Sequence, residues 1–225
     1  MIDSFFRGVS KKTIVALFAV DLLFVVATAF TGALAVIGVL ETIPALVNVG
    51  RDWSLPEAFN YLKWLVLALI FFFAYRQDGH PLLLSLASIF LLLMFDDSLQ
   101  LHEQFGRFVS DNVDGQEGFH AYVQIGYWII LASGFLILLR SSYLKAPKPL
   151  KQAVAPMLVP FLGLVFFGVF LDFLHSALTE DGTLSAGLLI LLEDGGELFM
   201  ISSLVAYAVN QWKVPFDHLG RKVSS

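Results

Sequence analysis

The sequence has no cysteine, which excludes disulfides, thiolate zinc sites and iron–sulfur clusters. Charge is scarce as well: Asp, Glu, Lys and Arg make up 15% of the 225 residues, against about 25% in soluble domains. The net charge of −5 offers no basic surface for nucleic acid. No repeat of fixed period and no low-complexity tract is present, and no polar connection is long enough to be a soluble domain.

What remains is apolar. Hydrophobic residues are 57% of the chain, 22 of them Phe, and the mean hydropathy is +0.77. A soluble fold of this size cannot hide that much apolar surface, so lipid is the expected solvent. The fold expected is all-α, a polytopic six-helix transmembrane bundle forming a single integral membrane domain over residues 1–225.

A spanning helix needs about 20 mostly apolar residues. Six stretches qualify: Thr13–Leu40, Asn60–Tyr75, Pro81 to about Phe105, Ala121–Leu139, Ala155–Leu178 and Ser185–Trp212. Arg7, Lys11, Lys12, Arg76, Arg140, Lys145, Lys148, Lys151, Lys213, Arg221 and Lys222 fall on the side of the N-terminus. Only Arg51, Lys63 and Arg107 fall on the other. This bias places both termini in the cytoplasm. Lys11 and Lys12 ahead of an apolar run imitate a secretory signal. The run is much longer than a signal core and Asp21 interrupts it, so an uncleaved first helix is expected.

Against this background the segment F-D-D-S-L-Q-L-H-E-Q-F, Phe95–Phe105, is out of place. Pro81 to Phe95 is too short to cross about 30 Å of hydrocarbon, so Asp96 and Asp97 are expected inside the bilayer. Asp172 and His175 come at the outer end of the fifth span. Glu193, Asp194 and Glu197 lie roughly 12–18 Å into the sixth. Three helices thus bring carboxylates to one level of the outer leaflet. At 100° per residue Asp96 and Glu103 share a face, with His102 beside them. Asp172 and His175 are spaced i, i+3, and Glu193 and Glu197 i, i+4.

Ionised acids in hydrocarbon cost about 2.5–3.5 kcal/mol each on insertion scales. Shared divalent cations would offset that cost. The expected metal ligands are Asp96, His102, Glu103, Asp172, His175, Glu193 and Glu197, with Asp97 and Asp194 as acids that shuttle protons. Oxygen donors with two imidazoles and no sulfur favour iron or manganese, with zinc as the alternative. D-F-L-H, Asp172–His175, resembles the Glu-x-x-His pair of dinuclear carboxylate bundles with Asp for Glu, while His102 has Leu99 three positions before it. Asp21 stands apart and is expected to bond a polar group on a neighbouring helix. Tyr127 and Trp128 are expected to serve packing.

The motifs D-D-S-L-Q-L-H-E, Asp96–Glu103, and L-E-D-G-G-E-L, Leu192–Leu198, resemble those of an uncharacterised group of bacterial multi-pass membrane proteins with D-[D/E]-x4-H-E and E-[D/E]-x2-E. That resemblance implies a prokaryotic membrane origin and no activity. Ser98, Asp97, His102 and His175 are also similar in type to the inventory of alkaline ceramidases and adiponectin-receptor-like hydrolases. Those use one zinc in a seven-span bundle, whereas this chain has an excess of acids and no third suitable His.

The expected function is a membrane-embedded metal-dependent enzyme acting on a lipid or other apolar substrate, by oxidation in preference to hydrolysis. Membrane lipids are its surroundings. A proton or cation transporter, or an accessory subunit with a protein partner in a larger membrane complex, are the alternatives.

Overall fold

The computed structural model describes residues 11–112, 119–178 and 183–212. Among them all regular structure is helical. Helix α1 is Lys11–Val36, α2 Leu55–Asp78, α3 Pro81–Leu99, α4 Leu101–Asn112 and α5 Phe119–Lys145. A short α6, Lys148–Val154, continues through a 3₁₀ turn, Ala155–Met157, into α7, Leu158–Val165. The chain then winds as a π-helix over Phe166–Leu171 before α8, Asp172–Leu178. Helix α9 is Leu184–Gln211.

Five segments are long and apolar enough to cross a membrane: Lys12–Val36, Leu55–Asp78, Pro81–Leu99, Tyr122–Lys145 and Lys148–His175. The sixth expected span is α9, whose 28 residues suffice for length but carry three acids. It is also the helix the others surround, packing on α1, α2, α7 and the π-helical turn. Leu198, Ile201, Leu204, Ala206 and Ala208 of α9 are fully or almost fully buried. Its acids therefore meet protein, which is where intramembrane charge is tolerated. The outer flanks of α1, α5 and α7 expose Leu23, Phe30, Ile130, Ile137 and Leu158, the apolar perimeter of a membrane bundle.

The start of α2 is written in S-L-P-E. Ser54 Oγ accepts from Glu57 N–H at 3.4 Å, Glu57 Oε2 accepts from Trp53 N–H, and Pro56 sits in the first turn. This is a variant of the capping box. It begins the helix five residues before the expected Asn60, so Glu57 belongs to a helix and not to a loop. At the other end Gly79, with φ +70°, turns the chain into α3, and His80 Nδ1 accepts from Leu82 N–H. Helices α2 and α3 then pair as an antiparallel hairpin.

The third span departs most from expectation. It does not run on to Phe105. Gln100 adopts the left-handed conformation, φ 53°, and its N–H caps Asp96 and Asp97 carbonyls. The helix ends at Leu99 and α4 leaves in a new direction. D-S-L-Q therefore closes one helix, and the shared face assumed for Asp96 and Glu103 does not exist.

The loop 37–54 folds back over the bundle. Thr28, buried in α1, donates to Val47 O at 2.6 Å and accepts from Val49 N–H at 3.1 Å. Thr28→Val keeps the shape but strands two loop groups, so a loss of about 1–3 kcal/mol is expected. Faster proteolysis of this loop would report it.

The apolar core lies at the opposite end, where Trp64, Leu67, Phe71, Leu83, Phe90 and Leu204 pack between α2, α3 and α9. The breaks around Asp111–Gly118 and Thr179–Thr183 fall mostly outside the described residues. So do Arg7, Lys213, Arg221 and Lys222.

Candidate functional site

The acids expected to matter gather at one end of the bundle, where Asp97 bonds Trp64 of the core. They form three adjoining groups.

The first is built on Asp96, 3% exposed at the end of α3. His102 Nδ1 is 2.9 Å from its Oδ2, and Tyr127 of α5 donates its hydroxyl to Oδ1. Both carboxylate oxygens are thus engaged. Burial works against a charged His102. The hydrogen bond to Asp96 and the charges of Asp96, Glu103 and Asp172 outweigh it, holding the imidazole above its usual pKa. The His102 ring also lies against Trp128, centroids 5.3 Å apart. Tyr127 is therefore more than packing, and the residues alone gave no sign of its role.

The second group joins α8 to α9. His175 Nδ1 lies 3.3 Å from Glu193 Oε2. That oxygen is buried and makes no hydrogen bond. Asp172, Glu103 and His102 are within electrostatic reach of Glu193. Glu103 is paired with Arg107 at 2.8 Å, one helical turn along α4.

The third group was not foreseen as a unit. Glu57 and Asn60 of α2, Asp97 of α3, and Asp194 and Glu197 of α9 line one cavity of about 40 Å³. Val49 from the loop, Pro56 and Leu198 complete its wall. Asn60 is 6% exposed and its Oδ1 has no hydrogen-bond partner. Glu57 lies ahead of the expected span, which begins at Asn60, and Asn60 is a neutral amide that hydropathy does not mark. The capping box at Ser54 is the signal that places Glu57 in the first turn of the same buried helix.

Beneath this cavity lies an ion pair. Lys63 Nζ donates to Asp21 Oδ1 at 3.0 Å, Leu198 O at 2.9 Å and Ser202 Oγ at 3.2 Å. Asp21 thus finds its polar partner on a neighbouring helix. Lys63 corrects the sequence reading, since it is 2% exposed inside the bundle and not a cation of the far surface. The charge bias of the loops becomes steeper without it.

Glycine controls how closely α9 meets the π-helical turn. A Cβ on Gly168 would overlap Glu197 Oε1, and one on Gly196 would overlap the Phe167 ring. Helix α9 thus sets Glu197 against bare backbone. Gly50 of the loop approaches Asp194 Oδ2 in the same way, at 3.0 Å from its would-be Cβ.

Among the described residues, no group of three or more His, Asp and Glu side chains brings its donor atoms together so as to hold a metal ion. The expected ligands are neighbours, with Glu197 in electrostatic reach of Asp97, Glu193, Asp172 and Glu57, but they are not drawn onto a common centre. No curated protein and no solved structure matches the chain. Residues 10–210 match the family described as "Domain of unknown function (DUF8692)", and the chain belongs to that family.

Proposed function

We propose that the chain is a metal-dependent enzyme of the bacterial inner membrane, with its site in the periplasmic leaflet, acting on a lipid or other apolar substrate. The observation that carries this reading is Glu193 Oε2, a buried carboxylate oxygen without a hydrogen bond, facing His175 and within reach of Asp172, Glu103 and His102. A buried acceptor left unsatisfied is costly, and a cation would relieve it.

His102 is prepared for the same task. Asp96 holds it through Nδ1, and Tyr127 holds Asp96. A histidine engaged at Nδ1 presents Nε2 on the opposite edge of the ring, the carboxylate–histidine–metal arrangement. In this reading Asp96 orients a ligand and does not bind. His102, Glu103, Asp172, His175 and Glu193 would hold the ion. The metal supplies redox or Lewis-acid chemistry, and iron or manganese suits the nitrogen and oxygen set better than zinc.

Access favours an enzyme over a channel. The acids stop at Lys63 and Asp21, and beyond them Leu67, Phe71, Phe90 and Leu204 fill the bundle. Among the described residues the buried polar groups there include the hydroxyls of Ser85, Ser142 and Ser203, whereas intramembrane ion pathways use ionisable groups. On the membrane side, His175 and Asp172 are only half-buried, next to the apolar flank of α5. An apolar substrate can reach them without leaving the bilayer.

Metal analysis of protein purified without chelator tests the reading. Near-stoichiometric iron or manganese is expected, with a loss of about 10–100-fold in affinity for Glu193→Gln and for Asp96→Asn. Zinc alone would move the chemistry to hydrolysis. A protein free of all three metals, yet folded, overturns the proposal.

A further inference from the structure

We propose that the cavity between α2, α3 and α9 is a second cation site, distinct from the histidine-bearing one, and that it takes a hard, oxygen-seeking divalent ion of the calcium class.

Its donors are all oxygen: the carboxylates of Glu57, Asp97, Asp194 and Glu197, and the amide of Asn60. No imidazole lines it, so it offers a borderline metal such as iron or zinc no nitrogen. Calcium is the ion that accepts six to eight oxygens, side-chain amides included, in flexible geometry. Magnesium demands a near-octahedral shell and keeps more of its own water.

The acids alone would not make a site. Asn60 adds the independent observation. Its side chain is more than nine-tenths buried, it lines the cavity, and its Oδ1 makes no hydrogen bond. An amide oxygen in that position is stranded unless something electropositive occupies the space beside it. Nearby positive charge is already committed, because Lys63, in electrostatic reach of Glu197, is held by Asp21, Leu198 O and Ser202.

The carboxylates ring the space and do not meet at its centre, in keeping with the absence of a closed ligand shell among the described residues. A volume of about 40 Å³ accommodates an ion with a water or two. Water completing the shell is thus part of the proposal. The loop is part of it too, because Val49 walls the cavity and Gly50 lies against Asp194. An ion here would tie the loop to three helices.

The test uses the full chain in detergent, stripped with EDTA and dialysed. Thermal unfolding is followed with added calcium, with magnesium, and with sodium at matched ionic strength. Calcium is expected to raise the midpoint by at least about 3 °C, as tight binding to the native state requires, and the other two salts by less. Asn60→Leu removes the stranded oxygen while filling similar space, so the stripped protein should be as stable as the parent or more so, with calcium affinity reduced at least tenfold. Asp194→Asn should weaken calcium by a similar factor, and terbium luminescence on the parent chain gives a second readout that needs no variant. His102→Ala should leave the calcium response intact, which separates this site from the one proposed above. No calcium-specific shift in the parent chain, or an equal shift in Asn60→Leu, overturns the inference.

Discussion

Asp21→Leu is expected to destabilise the bundle by about 3–5 kcal/mol, and Lys63→Met by a similar amount. Both partners are essentially inaccessible, 0% and 2% exposed, and the lysine spends its three N–H bonds on α1 and α9. Removing Asp21 leaves an ammonium group with only neutral partners in the middle of a membrane protein. Removing Lys63 leaves a bare carboxylate on α1. The double variant Asp21→Leu/Lys63→Met discards both charges at once, so it should recover most of either loss. Thermal unfolding of the four proteins in one detergent gives the coupling directly. If the two losses simply add, the pair is not what joins α1 to α2 and α9. The same cycle bears on function, because Lys63 is the buried cation in electrostatic reach of Glu197. Its removal should strengthen cation binding in the cavity above, where attraction would no longer be shared with a fixed positive charge.

The membrane class of the chain was readable at once, since composition and run length depend only on solvent. Individual ends were harder to place. Helix α2 was started at Asn60 because hydropathy begins there, while its physical start lies at Ser54, where side-chain oxygens satisfy the first N–H groups. A start at Asn60 leaves Glu57 in the outer loop, whereas it lines the cavity from the first turn of the helix. The third span failed for a different reason. Gln100 in a left-handed conformation is unusual for that residue type, and no pattern in D-D-S-L-Q-L announces it. Asp96 and Glu103 therefore stand on two helices, α3 and α4, and not on one face of a single helix.

Depth proved more legible than direction. Counting residues from helix ends puts Asp97, Asp172, Glu193 and Glu197 at one level, and Glu197 is within electrostatic reach of the other three. Azimuth depends on how helices rotate against each other, which periodicity does not specify when nearly every residue is apolar. Lys63 illustrates the limit. By position it could face the surface, and only the packing of α2 on α9 turns it inward to meet Asp21.

Gly196→Ala should be costly where the same change elsewhere on the helix is not. Adding a Cβ to a helical glycine ordinarily stabilises by up to about 1 kcal/mol. Gly187, on the same helix with nothing within 4 Å of its would-be Cβ, should show that gain. At Gly196 the new methyl runs into the Phe167 ring, which has no flexible end to move aside, and overpacking of this kind costs roughly 1–3 kcal/mol. The difference between the two variants in thermal unfolding is therefore expected to be about 1–4 kcal/mol. Gly168→Ala completes the comparison. Its Cβ meets only the carboxylate tip of Glu197, which can swing away at little cost to the fold. The displaced acid should then weaken cation binding while the midpoint of the stripped protein hardly changes. Phe167 and Gly168 of the π-helical turn face Gly196 and Glu197 of α9 in reciprocal order, ring into glycine and acid onto glycine. A widened helical turn there lets two backbones approach so closely that one side chain locks the contact and the other is aimed along it. Equal behaviour of Gly168→Ala and Gly196→Ala would mean that the contact only packs the helices and does not aim Glu197.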